Sequence, residues 1–306
     1  MNTVWNDYSQ VKTQNGTAVA IGNFDGLHLG HQKLFSMLSD VAKEHGLPSV
    51  AYTFSTHPIN VLKGENTLKL IANNAQKEKL IAGCKVDTLF FEDFARVKDM
   101  SAIDFVRDVL VEKLNMKIAV VGYHNHYGKN SEGDVKLLRE LGQIYGFEVY
   151  MIKPCYIDDT VLASSSNVRK YISDGDLDMA NKILGRPYTI SNVIVKDKML
   201  GKTIGFPTAN MIPDEHLLLP PYGVYASSIK IGGKDYISIT NIGVNPTFHE
   251  DKVRIETHII GFSGDLYGET LDIELLYKIR DDVAFKDVDA LKEQLEEDKK
   301  ARIEAN

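Results

Sequence analysis

The sequence predicts an α/β chain in two parts: an N-terminal doubly wound parallel sheet, then a C-terminal antiparallel β-barrel with a terminal helix. In the first part, apolar β-prone runs begin near Thr17, Ser49, Lys85, Lys117 and Phe147. Their spacing of roughly 30 residues is the length of a strand plus a crossover helix. After about residue 186 the texture changes to alternating, β-branched runs joined by Gly-rich turns, the pattern of a small antiparallel barrel. The closing segment returns to helical periodicity. At 306 residues the chain has length for two domains. The joint is placed near Gly185-Arg186-Pro187, giving domains 1–186 and 187–306.

Each element follows from its own pattern. Thr17–Ile21 is short and apolar, and after it Leu34, Phe35, Leu38, Val41 and Ala42 recur at helical spacing until Gly46. Helices are expected at about 31–45, 74–83, 101–114 and 131–145, with Ser101 and Asp104 spaced as a capping box. A further helix is expected over Val168–Ile183. Barrel strands are expected at Tyr188–Val195, Gly223–Ile231, Tyr236–Thr240, Arg254–Ile260 and Leu271–Tyr277, with Gly232-Gly233 as one turn. In the last helix Val288, Leu291 and Leu295 form an apolar stripe, and Glu296/Lys300 and Asp298/Arg302 are spaced as charge pairs.

Composition narrows the function. A formal charge of −7 argues against nucleic acid as the main partner. Cys84 and Cys155 are too few and too isolated for a disulfide framework or a multi-cysteine metal site, which fits a reducing compartment. The first residues lack a basic region followed by an apolar core, and no run approaches the ~18 apolar residues of a spanning helix. The expectation is a cytoplasmic protein with small-molecule partners, no nucleic acid and no membrane; oligomerisation stays open.

The stretch Gly22-Asn-Phe-Asp-Gly-Leu-His-Leu-Gly-His31 lies between the first strand and the first helix. Glycines there bring backbone amides to phosphate at a helix N-terminus. The dinucleotide fingerprint does not fit, because Gly22, Gly26 and Gly30 are spaced by four. His28 and His31 can donate hydrogen bonds to phosphates and stabilise charge growing at an α-phosphorus; an isolated His there can also simply cap the helix. The whole string resembles the signature G-N-F-D-G-x-H-x-G-H that prokaryotic FAD synthetases carry within the nucleotidylyltransferase superfamily. The resemblance implies a Rossmann-like domain in which Gly22, Phe24, Asp25, Gly26 and Gly30 hold nucleotide and His28 and His31 are catalytic. It further implies that Phe54, His57 and Pro58 line the flavin side. Ser164, Ser165, Ser166 and Arg169 resemble the family's S-S-T-R-I-R phosphate loop, and the serines can equally cap a helix.

Gly201-Lys-Thr-Ile-Gly-Phe-Pro-Thr-Ala-Asn210 contains Gly-Lys-Thr but is no P-loop. The pattern requires glycine where Lys196 stands, and Pro207 and Pro213 break the helix that must follow. The string resembles the G-x-x-x-G-x-P-T-A-N signature of riboflavin kinases. That implies Thr208 and Asn210 as oxygen ligands of a magnesium ion carrying ATP, with Gly201, Lys202, Gly205 and Pro207 over the nucleotide. Gly223-Val-Tyr225, Asn241-Ile-Gly243, Pro246-Thr-Phe248, Glu256-Thr-His258 and Leu266-Tyr-Gly268 follow in the family's order. Glu256 is the candidate general base by this likeness; on pattern alone it is an ordinary solvated strand glutamate. Arg280, with Gln294 and Asp298, matches the segment used around the isoalloxazine, where an exposed charged helix is the alternative.

Together the two signatures imply a bifunctional flavin enzyme: riboflavin is phosphorylated to FMN with ATP and Mg2+, and FMN is adenylylated to FAD with a second ATP, so that ATP, riboflavin and FMN are the substrates and Mg2+ the cofactor. The alternative keeps the kinase and makes the first domain a non-catalytic flavin or nucleotide sensor. A dehydrogenase reading lacks G-x-G-x-x-G. The chain departs from its relatives where they read close to G-x-D-F-x-F-G: Gly122-Tyr-His-Asn-His-Tyr-Gly128 puts His124 and Asn125 at binding positions, and Asn167 stands for the first arginine of the phosphate loop. His124 and His126 are expected on one face of an extended segment, near phosphate rather than as a metal pair.

Overall fold

A computed structural model describes residues 1–11, 15–196, 205–244, 253–283 and 285–305. By its contacts the chain divides into two compact units, Met1–Ser165 and Ser166–Asn306.

The first unit is a six-stranded, wholly parallel sheet of β1 (Asn2–Trp5), β2 (Thr17–Ile21), β3 (Ser49–Phe54), β4 (Thr88–Glu92), β5 (Met116–Gly122) and β6 (Glu148–Ile152), in spatial order β1-β4-β3-β2-β5-β6. All five residues of β2 are buried, because helices cover both faces of a parallel sheet. One face packs Val19, Ile21, Tyr52, Phe105 and Leu110 together. The other packs Ala18, Ala20, Phe35, Leu38 and Phe91. Crossovers run through α1 (Leu29–Glu44), α2 (Pro58–Lys63), α3 (Asn74–Ala82), α4 (Ala102–Asp104, continuing as a π-helical stretch over Phe105–Lys113) and α5 (Val135–Tyr145). Ser101 caps α4, its Oγ accepting from the Asp104 amide and donating to the Asp104 carboxylate. A short hairpin, β7 (Tyr156–Ile157) and β8 (Val161–Leu162), follows. The strand order reverses between β2 and β5, so the crevice at their carboxyl ends is the topological switch point where such sheets take ligands. Gly22–His31 follows β2 and Tyr123–Gly128 follows β5.

The second unit begins with two helices where the sequence suggested one. α6 (Ser165–Ser173) and α7 (Leu177–Leu184) are separated at Gly175, φ +81°, and Asp176 caps α7 by accepting from the Met179 amide. Asn181 of α7 donates to the Leu275 and Leu276 carbonyls and accepts from the Tyr188 amide, binding this helix to the barrel. The barrel strands are β9 (Tyr188–Val193), β10 (Thr208–Met211), β11 (Gly223–Ile231), β12 (Lys234–Val244), β13 (Val253–Ile259) and β14 (Thr270–Asp281), antiparallel in order β10-β13-β12-β11-β14-β9. A bridge between Val195 and Asn210 joins the two edges of the sheet. Inside lie Tyr188, Ile190, Tyr225, Ile229, Ile242, Ile255 and Ile273, with a hydroxyl chain from Ser238 through Ser227 and Thr240 to Thr257 in steps of 2.8, 2.8 and 2.9 Å.

The terminal helix α8 (Val288–Glu304) corrects the pattern read from sequence. Val288 is exposed, whereas Asp298 and Arg302 are buried. Asp298 pairs with Arg280 of β14, not with Arg302, and Arg302 donates to the Ser227 carbonyl. The charged helix is therefore not simply solvated: the half-buried Leu291 and Leu295 of the expected stripe share its contact face with the buried Asp298 and Arg302, and Val288 falls outside it. Removing one partner of a buried pair strands the other charge, so Asp298→Ala is expected to lower stability of this unit by about 3 kcal/mol in chemical denaturation.

Candidate functional sites

The β2–α1 turn is built from unusual backbone. Phe24 and Leu27 adopt left-handed φ of 47° and 42°, values that ordinary residues hold only where the surroundings enforce them. Gly26, at φ +76°, lies against Ile71, and a Cβ added there would come within 2.7 Å of Ile71 Cγ2. Gly26→Ala combines both penalties and is expected to cost about 2–3 kcal/mol of stability, measured by urea titration. The Asp25 side chain is turned inward: its carboxylate accepts from the Ile71 and Ala72 amides at 3.1 and 3.0 Å. Thr53 Oγ1 donates to the Asn23 carbonyl and Ser165 Oγ to the Asp25 carbonyl, so the end of β3 and the start of α6 meet the turn. Gly30 lets Ala163 approach, since a Cβ there would lie 3.2 Å from the Ala163 carbonyl and 3.0 Å from His28 Cε1.

His28 stands at the N-cap of α1 without capping it through its side chain. Its ring stacks on His31, centroids 3.7 Å apart, and His31 in turn meets Phe24 edge-on at 5.4 Å. Burial holds His31 well below the usual imidazole pKa, and the neighbouring His28 and Lys77 charges add to this. Its Nδ1 is buried with no hydrogen-bond partner among the described residues. His31 thus offers a neutral donor and acceptor at a helix N-terminus.

Around this pair the other expected residues fall at the carboxyl ends of the strands. Phe54 ends β3 and packs edge-on against Phe94 and Tyr52. His57 caps α2, its Nδ1 accepting from the Ile59 amide, with Pro58 at the first helical position. After β5 the chain turns at once, the Asn125 amide donating to the Gly122 carbonyl, so His124 and His126 do not share a face of an extended segment as the sequence suggested. His124 is exposed beside a cavity of about 550 Å³ that Asn125, Lys136 and Arg139 also line. Asn125 Nδ2 is buried with no hydrogen-bond partner among the described residues. Ser164 precedes α6, whose first turns carry Ser165, Ser166 and Arg169.

The second site is a row across three strands. Asn210 of β10 lies directly opposite Glu256 of β13, which lies opposite Asn241 of β12. Residues in register share a face, and Thr208, two positions from Asn210, joins them there beside His258. The Oδ1 atoms of Asn210 and Asn241 are both buried with no partner among the described residues. Two such oxygens flanking a carboxylate demand a donor or a cation. Neutral oxygens from Thr208 and Asn210 suit a hard divalent ion, so these residues fit magnesium. Gly205 has φ +89°, and His258 Nδ1 donates to the Pro207 carbonyl at 2.9 Å, fixing the turn that leads into Thr208. Gly201, Lys202 and Pro246–Phe248 lie outside the described residues. Arg280 is committed to Asp298 in a bidentate bond, which Gln294 supports at 3.1 Å. Asn241 and His258 were not singled out from sequence as site residues, because strand register alone brings them beside Glu256 and Thr208.

Family comparisons agree with this division. The FAD synthetase family matches residues 10–166 and the riboflavin kinase family residues 184–305. A bifunctional riboflavin kinase/FMN adenylyltransferase of Buchnera aphidicola subsp. Schizaphis graminum is 34% identical over 294 residues, covering 94% of this chain and 93% of its own. The Escherichia coli (strain K12) protein of the same name is 33% identical, covering 93% and 91%. A crystal structure of a macrolide-efflux protein from Streptococcus pneumoniae superposes with TM-score 0.87 at 30% identity, covering 99% of both chains. Among the described residues no helix of this chain is long and apolar enough to cross a membrane.

Proposed function

The chain belongs to the bifunctional riboflavin kinase/FMN adenylyltransferase family, and from that premise we propose which residues perform each half of the work. The enzyme phosphorylates riboflavin to FMN with ATP and adenylylates FMN to FAD with release of pyrophosphate. The kinase half is assigned to the barrel on one observation, the Asn210–Glu256–Asn241 row with its two carbonyl oxygens that find no partner among the described residues. Glu256 accepts the proton of the riboflavin 5′-hydroxyl or orients it toward the γ-phosphorus. Thr208 and Asn210 would hold magnesium, which when bound with ATP would supply neutralisation of charge on the transferring phosphoryl group. Gly205 and Pro207 shape the nucleotide turn, Gly201 and Lys202 are assigned to nucleotide binding by the signature alone, and Arg280 positions α8 at the flavin.

The adenylyl-transfer half is assigned to the carboxyl end of the parallel sheet. There His28 and His31 donate to phosphate oxygens while the FMN phosphate attacks the α-phosphorus of ATP, with no covalent enzyme intermediate. Gly22, Phe24, Gly26 and Gly30 shape the nucleotide's approach, and Asp25 fixes the turn itself. Phe54, His57, Pro58, His124 and Asn125 form the flavin side, and Ser164, Ser165, Ser166 and Arg169 the triphosphate side. A cytoplasmic location suits a reaction that draws on ATP. Incubating the protein with riboflavin, ATP and magnesium and separating the flavins tests the whole reading. FMN followed by FAD is expected; FMN without FAD would make the first unit a sensor.

A further inference from the structure

Lys77 is a cation in the interior of the first unit, 7% exposed, on α3. Its ammonium reaches the carboxyl end of β3, where the Phe54 carbonyl accepts at 3.5 Å, the long edge of hydrogen bonding. The same nitrogen stands 5.8 Å from the centre of the Phe91 ring. An ammonium has three donors. Here one long contact serves them, and no carboxylate lies within ion-pairing distance among the described residues.

The chain goes to some length to put it there. Asp25 of the signature turn holds the Ile71 and Ala72 amides, the two residues before the cap of α3. Asn73 and Gln76 close a full capping box, and Asn74 Nδ2 donates to the Ser55 carbonyl at 2.8 Å, fastening the helix start to the end of β3. One turn on, Lys77 arrives close enough to His31 for its charge to depress the imidazole. His31, so held neutral, brings hydrogen bonds and no charge. Asn167 likewise brings no charge, where the related phosphate loop has arginine. A site that gathers an FMN phosphate and a triphosphate needs a fixed positive charge close to the reacting phosphorus.

We propose that Lys77 is a catalytic residue of adenylyl transfer, its ammonium donating to a phosphoryl oxygen beside His31. The inference rests on the assignment of this end of the sheet to that reaction. In the step, a phosphate oxygen of FMN forms a bond to the α-phosphorus, the bond from that phosphorus to the α–β bridging oxygen breaks, and pyrophosphate leaves with the electron pair. Lys77 stabilises the charge on the equatorial oxygens and transfers no proton.

Protonation gives the role a signature. Burial lowers the Lys77 ammonium to about 8, partly opposed by the Asp25 carboxylate. His31, with His28 stacked on it, faces the ammonium from α1. The strands present the Phe54 carbonyl and the Phe91 ring, Glu92 being hydrogen-bonded by Tyr8 and Tyr52 on the opposite side of the sheet. On α3 itself, Glu78 is engaged by Thr3. Because the charged form is the active one, kcat/KM for FAD formation falls as pH rises past about 8.

The test uses the full chain and assays FAD from FMN, and FMN from riboflavin, in Lys77→Met and Lys77→Arg. K77M is expected to lose FAD formation on the order of 10²-fold with FMN formation unchanged, as for removal of one preorganised donor. K77R is expected to recover activity and to lose the alkaline fall, since guanidinium stays charged. FAD formation at the wild-type rate in K77M overturns the proposal. So does an alkaline fall that K77R leaves in place, which would reduce Lys77 to a prop for the Phe54 turn. A wild type that makes FMN and no FAD defeats the site assignment itself, and is seen before any variant is made.

Discussion

Glu256→Gln is expected to lower FMN formation by about 10²–10⁴-fold, the range for loss of a positioned acid or base, and to leave FAD formation from supplied FMN intact. The expectation comes from register. A glutamate on an exposed strand face has no special duty, but this one is centred between Asn210 and Asn241, whose side-chain oxygens lack partners among the described residues. Glutamine keeps the shape and can even donate to those oxygens, so the fold is preserved while the acceptor is lost. The two activities of one chain supply the control: a preparation that still converts FMN to FAD is folded in its first unit, and a melting temperature near wild type vouches for the second. FMN formation at the wild-type rate would remove Glu256 from the chemistry and leave the row as a magnesium and nucleotide support.

The parts that sequence made visible are those encoded locally. A parallel strand buried on both faces must be apolar throughout, so Thr17–Ile21 announces itself, and each crossover helix restarts the count. β1 escapes this logic: with four residues, of which Val4 alone is buried, it pairs only along β4 and carries no run to detect. The terminal helix misleads for a related reason. Leu291 and Leu295 of its apolar stripe do lie on the contact face, half-buried, yet the most buried residues there are Asp298 and Arg302, because their partners, Arg280 and the Ser227 carbonyl, lie far off in sequence. The same holds at the sites. The i,i+3 spacing of His28 and His31 at a helix start is legible, and so is their meeting on one face. The neutrality of His31 is not, since Lys77 reaches it from another helix, and neither is the place of Asn241, which only the pairing of β12 with β13 reveals.

His28→Ala and His31→Ala are each expected to suppress FAD formation by about 10²–10³-fold, with FMN formation retained. The rings are stacked at 3.7 Å, so removing one leaves the other without its support, and the double variant should fall little further than either single one. Stability separates the catalytic from the structural share. With its folded pKa held well below 6.5, His31 binds a proton in the unfolded chain before it does in the folded one. Between that folded value and 6.5 the unfolded state therefore carries more protons, and stability rises with pH by up to about 1.4 kcal/mol per unit. Acidification through this window weakens the first unit, and His31→Ala should flatten that slope while still abolishing FAD formation. If the slope flattens and FAD formation stays, burial of His31 is a matter of packing alone. If FAD formation is lost and the slope stays, its proton is not the one being counted, and the phosphate contact stands without the neutrality argued for it.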